Sequence, residues 1–471
     1  MRVVDLADGL VAFVKKDCPT CELVVPVLKQ LGVTAVVQDD PAWPAGLTRV
    51  DDTSLELSFR ADVETVPTLV RRKGGQETGR VQGWFRPQWE ELTGVAGLGP
   101  GLPEHRPGCG SLSVDPDRAP DLARRYGGQL LASRQVELAD LEDDVEAAYA
   151  RGWTDGLPVV PPTPERVLRM LAGRDPAEVV AVVPPDLVTC TVEKVAVNAV
   201  MAGCLPEHLP VVLAAVRGAC TDSFNMHGLL ATTYPSGPVV VVGGPVTGAV
   251  GMNSGGNALG QGNRANATIG RALQLVIRNV GGGRPGEVDR AAQGQPGKYT
   301  FCFAEEPAGS PFVPLHVSRG LAGGSSAVTL FAGAGSSVVV DQLSRTAESL
   351  ARSFALALRA VAHPKLALAF DALLVVSPEH GRVLREAGWD RERLLAELEP
   401  LLVLQPEDLR RGSGGVEEGM PPGLDAAPLP KFRPGGLLLV HAGGTAGLFS
   451  TVIGGWVSGA GGSEPTTEEI T

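Results

Sequence analysis

The sequence predicts an α/β chain of two modules, a small N-terminal one and a larger C-terminal one built on a mostly parallel sheet. Three observations predict it. The apolar run Leu10–Val14 leads through Cys18-Pro19-Thr20-Cys21 into a stretch whose Leu23, Val24, Val27, Leu28 and Leu31 share one face of a 3.6-residue period. That is a buried strand followed by an amphipathic helix. Residues 97–118 (GLGPGLPEHRPGCGSLSVDPDR) are rich in glycine and proline and read as a linker. Beyond them one order recurs: a β-branched strand, a loop of small residues, then a helix, which implies parallel strands covered by helices.

In the first module, residues 1–96, Cys18 falls at the helix start, where unpaired N–H groups and the helix dipole favour thiolate over thiol. Lys15 and Lys16 add to that preference and Asp17 opposes it. Pro26 lies inside the same helix, where it bends the axis. Val66-Pro67-Thr68 opens a further strand, Gly74-Gly75 turns it, a second strand ends near Gly83, and a helix runs from about Pro87 to Leu92. Two cysteines separated by two residues can close a disulfide and reopen it by exchange. Half of a zinc knuckle is the other use of this spacing, but neither a second CxxC nor paired histidines stand nearby.

This run of features resembles thioredoxin over residues 1 to about 96. The resemblance implies a thioredoxin fold, Cys18 as attacking thiol, Cys21 as resolving thiol, and Pro67 as a cis-proline shaping the substrate groove. Ala12 stands where the family has a buried aspartate, and Asp17 where it has a tryptophan. Loss of that internal proton shuttle favours a dedicated partner, a thiol or selenol protein, over general disulfide reduction.

The composition excludes several classes. The formal net charge of −12 over 471 residues argues against nucleic acid and anionic membrane surfaces. Apolar runs stay short of membrane-spanning length, and MRVVDLADG lacks a signal-peptide layout. Seven scattered cysteines do not form a secreted disulfide framework, so a reducing cytoplasm is expected. With 60 glycines and 38 prolines, many loops must be tightly constrained.

The second module, residues 119–471, starts with helical patterning from Ala119 that strengthens across Val136–Arg151. An extended segment, Gly152–Pro162, ends at Thr163-Pro164-Glu165, a helix start. Four strand–loop–helix units follow. Val239–Val242 leads through Gly243–Asn266 to a Thr268–Arg278 helix, and Val328–Phe331 through Ala332–Ser337 to a helix near Gln342–Val361. Leu373–Val376 leads through Ser377–His380 to a helix ending at Ala387, and Leu437–Val440 into Ala442–Thr445. Residues 410–436 read as a mobile surface loop. In such folds ligands settle beyond the carboxyl ends of the strands.

Candidate site residues concentrate between Asn225 and Arg319. Asn225 and His227, then Asn253, Asn257, Asn263, Arg264 and Asn266, lie in Gly/Asn-rich loops suited to a polar-lined pocket. Arg264, just ahead of a helix, suits an anionic ligand. Cys302, Glu305, His316 and Arg319 complete the group, with His227, His316 and Glu305 as acid–base candidates. Neither a phosphate-binding GxxxxGK[ST] nor HExxH occurs, so no nucleotide, cofactor or metal is expected. Cys109, beside Arg106 in the linker, is a candidate exposed thiol. Cys190, Cys204 and Cys220 sit in apolar contexts and read as small core residues.

Phrases such as GWTDGLPVVPPT, NMHG, GMNSGGN, GQGNRANATIG, PGKY and PLHVSRG, with Gly454-Gly455-Trp456 further on, resemble a bacterial family associated with small selenoproteins carrying a Sec-Gly-Ser-Cys motif. Cys109-Gly110-Ser111-Leu112 is similar to that motif in part, with cysteine for selenocysteine and leucine for the second thiol. The resemblance implies thiol or selenol chemistry.

The expected function is a thiol–disulfide oxidoreductase module coupled to a domain acting on a small, anionic or sulfur-containing substrate. Cys18 would attack a disulfide or oxidised thiol at Cys302 or Cys109, and Cys21 would resolve it. The alternatives are a small-molecule hydrolase or lyase with an accessory thioredoxin domain, and a non-enzymatic redox-sensing binding protein.

Overall fold

A computed structural model describes residues 6, 8–115, 118–127, 131–134, 136, 138, 142–410 and 427–471. Two compact units divide the chain: Met1–Leu131 with Pro164–Arg169, and Ala132–Thr163 with Met170–Thr471.

In the first unit β1 (Gly9–Val14) leads into α1 (Pro19–Leu31), which ends at Gly32 in the left-handed region, followed by β2 (Thr34–Val37). Then come β3 (Thr48–Asp51), α2 (Glu56–Arg60), β4 (Thr65–Val66), β5 (Thr68–Lys73), β6 (Gln76–Gln82), β7 (Trp84–Phe85) and α3 (Arg86–Thr93). The main sheet has the order β3-β2-β1-β5-β6. β2 is parallel to β1 and to β3, whereas β5 is antiparallel to both β1 and β6. The central strand β1 is buried from Val11 to Val14 because sheet neighbours flank it and helices cover it. The face of α1 set by Cys21, Val24, Val27 and Leu28 packs into this core, as its period requires. The Val66–Pro67 peptide bond is cis, as expected for Pro67.

The stretch expected as a linker is built into this unit. Short strands β8 (His105–Arg106) and β9 (Cys109–Gly110) pair antiparallel with β7 and β4 respectively. Between them and α3 the backbone is held by side chains: Trp84 Nε1 donates to Pro103 O at 2.6 Å, and Arg86 to the carbonyls of Gly99 and Leu102. Glycine and proline here serve close packing. A Cβ on Gly108 would lie 2.3 Å from Thr65 Cγ2 and 2.7 Å from Val66 O. The first unit therefore extends well past residue 96. Pro116 and Asp117 of the expected linker lie outside the described residues.

In the second unit β10 (Val179–Val183) and β11 (Val188–Thr191) form a hairpin. The main sheet is made by β12 (Gly237–Gly243), β13 (Cys302–Ala304), β14 (Ala327–Val340) and β15 (Phe370–Val376). After a short pair, β16 (Val403–Leu404) with β17 (Leu429–Pro430), it is completed by β18 (Leu437–His441), β19 (Phe449–Val457) and β20 (Thr466–Glu469). Its order is β13-β12-β14-β19-β15-β18, with β20 also on β14. The sheet is mixed, which corrects the mostly parallel expectation. β12–β13 and β15–β18 are parallel, while β14 pairs antiparallel with β12, β19 and β20, and β15 with β19. Two features produce this. The C-terminal strands β19 and β20 return antiparallel, and β14 runs on through the expected loop Ala332–Ser337, shifting register between Gly333 and Ser336. Gly333 is required there, because a Cβ would meet Val239 and Ile453 side chains at 2.6 and 2.9 Å.

Inward-facing Val239, Val241, Phe303, Phe331, Leu373, Val375, Val440 and Ile453 join one core, so the sheet curls around it. Its two edges meet at their carboxyl ends, where Glu306 N donates to His441 O at 2.7 Å. The helices Arg264–Asn279, Ala347–Arg359 and Pro378–Glu386 stand close to the expected positions. Of the expected mobile loop 410–436, residues 411–426 lie outside the described residues, and Lys431 is buried with its ammonium on three backbone carbonyls. Among the described residues no helix is long and apolar enough to cross a membrane.

Candidate functional site

In the first unit Cys18 is the residue that caps α1. Its backbone is extended (φ −148°, ψ 111°), Pro19 takes the first helical position, and its Sγ accepts from Cys21 N at 3.3 Å. The sulfur lies 3.6 Å from the carbonyl oxygen of Val66, just ahead of Pro67. Its pKa is lowered to about 5, first by the hydrogen bond from the Cys21 thiol. Burial opposes this, and donation from the Cys109 thiol and from the N–H groups of Cys21 and Thr20 adds to it. The lysines expected to help are engaged elsewhere: Lys15 Nζ donates to Gly110 O at 2.9 Å and Lys16 Nζ to Asp40 at 2.7 Å. Burial and donation to Cys18 push the Cys21 thiol far up. Ala12, fully buried, offers no base.

The third sulfur of this cluster is Cys109, 2.8 Å from Cys18 Sγ. Strand β9 sets it there by pairing Cys109 with Val66 and Gly110 with Thr65. Thr20 Oγ1 donates to Pro107 O at 2.7 Å, and Gln38 Nε2 to Ser111 Oγ at 2.7 Å, so both ends of the strand are anchored. Burial and its bond to Cys18 raise the Cys109 thiol, while Thr20 N–H and the Lys15 charge pull the other way. Cys18 and Cys21 are buried, whereas Cys109 is partly exposed.

In the second unit the expected constellation separates into loop braces and one buried pair. Asn225 caps a short helix through Gly228 N and donates to Gly462 O. Asn263 caps the Arg264–Asn279 helix and donates to Gly251 O. Asn266, buried, exchanges bonds with the backbone of Asn253, and Asn253 and Asn257 bond within their own loop to Gly256 O and Gln261 O. These amides spend their capacity on backbone. His227 is exposed, and so are Arg264, which donates to Gly203 O, and Arg319, which donates to Thr467 and Pro465. Among the described residues no hydrogen bond or ion pair joins them to one another or to His316. Cys302 lies on β13 against Gly270, with its thiol driven up by burial, and does not present a reactive sulfur. Cys190, Cys204 and Cys220 are likewise pushed up to about 12 by burial; Cys190 and Cys204 are core residues as expected, while Cys220 is half-buried.

What remains is Glu305 with His316. Glu305 follows β13, and its Oε2 accepts from Leu315 N at 2.8 Å at the start of the short helix Leu315–Ser318 that carries His316. Both side chains are buried, and among the described residues Glu305 Oε1 and both His316 ring nitrogens have no hydrogen-bond partner. Gly243, the last residue of β12, admits them. A Cβ there would lie 2.7 Å from His316 Nδ1 and 3.5 Å from Glu305 Oε2. Burial raises Glu305 to about 7 and lowers His316, so near neutrality the carboxyl is partly protonated and the imidazole neutral. Two nearby groups escape a reading of sequence alone. Arg391, buried, donates to Leu439 O and Val313 O and lies close enough to favour the Glu305 carboxylate. His441, buried at the end of β18, bonds to Glu306 O through Nδ1 and leaves Nε2 unpaired. For His441 the signal was position: like Gly243 and Glu305 it stands at the carboxyl end of a parallel strand, whereas Arg391 opens the helix Arg391–Leu401.

Among the described residues no group of three or more His, Cys, Asp or Glu side chains could hold a metal ion. No protein-family model matches the chain, and no curated protein matches it.

Proposed function

We propose that the first unit is a thioredoxin-like thiol–disulfide oxidoreductase module acting in a reducing compartment, with Cys18 as nucleophile. The observation that carries the reading is the Cys18 sulfur: it caps a helix, accepts an N–H, and is held near pKa 5 beside a second thiol. The order strand, CxxC, kinked helix and Pro67 resembles thioredoxin and supports the same role. The test is the thiolate absorbance of single-cysteine-reporting variants followed against pH. A Cys18 thiolate persisting below pH 6 supports the reading, and a sulfur titrating near the free value of about 8.5 removes it.

Glu305 and His316 favour a second activity in the second unit, acid–base turnover of a small molecule. A buried acid with pKa near 7 beside a neutral imidazole with both nitrogens open suits proton transfer. Small-molecule ligands should shift the thermal unfolding of the protein, and Glu305→Gln or His316→Gln should abolish that shift. Ligand shifts that survive both substitutions would place the activity elsewhere.

A further inference from the structure

We propose that Cys109 is the outward-facing thiol of a three-sulfur relay, the group through which Cys18 and Cys21 reduce a low-molecular-weight disulfide. The inference rests on the redox reading of the first unit.

The argument is one of access. Cys18 carries the stabilised thiolate but is only 1% exposed, and Cys21 is fully buried. What closes the site is β9, added as an antiparallel strand to β4 in the manner of a docked peptide. That strand brings its own sulfur within 2.8 Å of Cys18 and leaves it partly exposed. An external disulfide therefore meets Cys109 first.

The sequence of exchanges balances. Cys109 attacks R–S–S–R with the hydrogen-bonded Cys18 thiolate taking its proton as the new S–S bond forms, giving Cys109–S–S–R and releasing RS⁻. Cys18, its proton given up to the released thiolate, attacks the Cys109 sulfur; the Cys18–Cys109 disulfide forms and the second RS⁻ leaves. Cys21 attacks Cys18 Sγ, forming the Cys18–Cys21 disulfide and returning Cys109 as a thiol. The two electrons gained by the substrate come from Cys18 and Cys21, and an external dithiol restores them. The high pKa of Cys21 fits the last role. Burial first, and then its bond to Cys18, hold its proton, and the second of these is released once Cys18 is tied up in a disulfide.

The experiment uses the full-length protein, glutathione disulfide as probe, acid quenching and peptide mapping. The first adduct should be glutathione on Cys109. Cys21→Ser should accumulate the Cys18–Cys109 disulfide, and Cys18→Ser should stop at the Cys109 adduct. Cys109→Ser should slow glutathione disulfide reduction at least about tenfold. The pH titration of the Cys18 thiolate in that variant shows whether the site is still built. A Cys109→Ser protein that keeps its low-pH thiolate and reduces the probe at the wild-type rate, with the adduct on Cys18, overturns the relay but leaves the module. Full activity in Cys18→Ser removes the module itself. A Cys109→Ser protein that loses its thiolate is replaced by Cys109→Ala, judged by the same two readouts.

Discussion

The two units treat buried polar chemistry in opposite ways. At Cys18 the thiols of Cys21 and Cys109 and the N–H groups of Cys21 and Thr20 donate to the sulfur and outweigh its burial, so the thiolate is favoured. At Glu305 and His316 one N–H, that of Leu315, reaches one carboxyl oxygen and the Arg391 cation is spent on carbonyls, so among the described residues Glu305 Oε1 and both ring nitrogens remain open. Satisfied burial fixes a charge in place; unsatisfied burial keeps a proton mobile. The first arrangement favours a thiolate, and the second keeps a carboxyl partly protonated beside a neutral imidazole.

Glu305 gives the largest expected test of this contrast. Its folded pKa, about 7, lies above its ordinary 4.5, so the native state binds the extra proton. The associated stability is complete below pH 4.5 and is lost as pH rises through 7, on the order of 3 kcal/mol. His316 works in the opposite sense. Its pKa is depressed, so stability falls as pH drops below the ordinary value of 6.5, while Arg391 moderates Glu305 by favouring its charge. Chemical unfolding of wild type and Glu305→Gln across pH 4–8 separates the two, because the variant keeps only the histidine slope. Parallel curves would mean Glu305 titrates as an ordinary carboxyl and the contrast is lost.

Gly108→Ala tests the other side. Its new Cβ would collide with Thr65 and the Val66 carbonyl, detaching β9 at a cost of about 2 kcal/mol. The Cys18 pKa should rise and its alkylation should change from occluded to open; an unchanged titration would show that Cys109 contributes nothing to the thiolate. Gly243→Ala should cost about 1–2 kcal/mol by pushing His316 aside, and the His316 imidazole resonance would report the displacement. Last, Asn263→Ala should lower thermal stability by about 1 kcal/mol through loss of a helix cap, while leaving thiol exchange unaltered.

The N-terminal site was legible because each part makes a local demand. A CxxC at a helix start, a proline ahead of a strand and a glycine-pair turn announce themselves without knowledge of their partners. Cys109 could be singled out as a thiol but not placed, since two-residue strands carry no periodicity and the glycines that let β9 approach β4 look like those of a linker. The same ambiguity hid the run of β14 through Ala332–Ser337, where Gly333 answers crowding from Val239 and Ile453. In the second unit the reactive residue types were visible, but the Asn-rich loops drew the eye. Side-chain amides bracing their own backbone look, in sequence, like a pocket lining.

The pairing of β9 has an evolutionary corollary. Val66 faces Cys109 while Trp84 faces Arg106, so two registers are pinned by one short excursion of chain. Side chains alternate along a strand, and a slip of one residue turns each of them to the opposite face. An insertion between Arg106 and Cys109, the two pinned positions, would then carry the third sulfur away from Cys18 even with every amino acid retained. Selection on this segment must act on its length as strictly as on its composition, unlike selection on an ordinary interdomain tether.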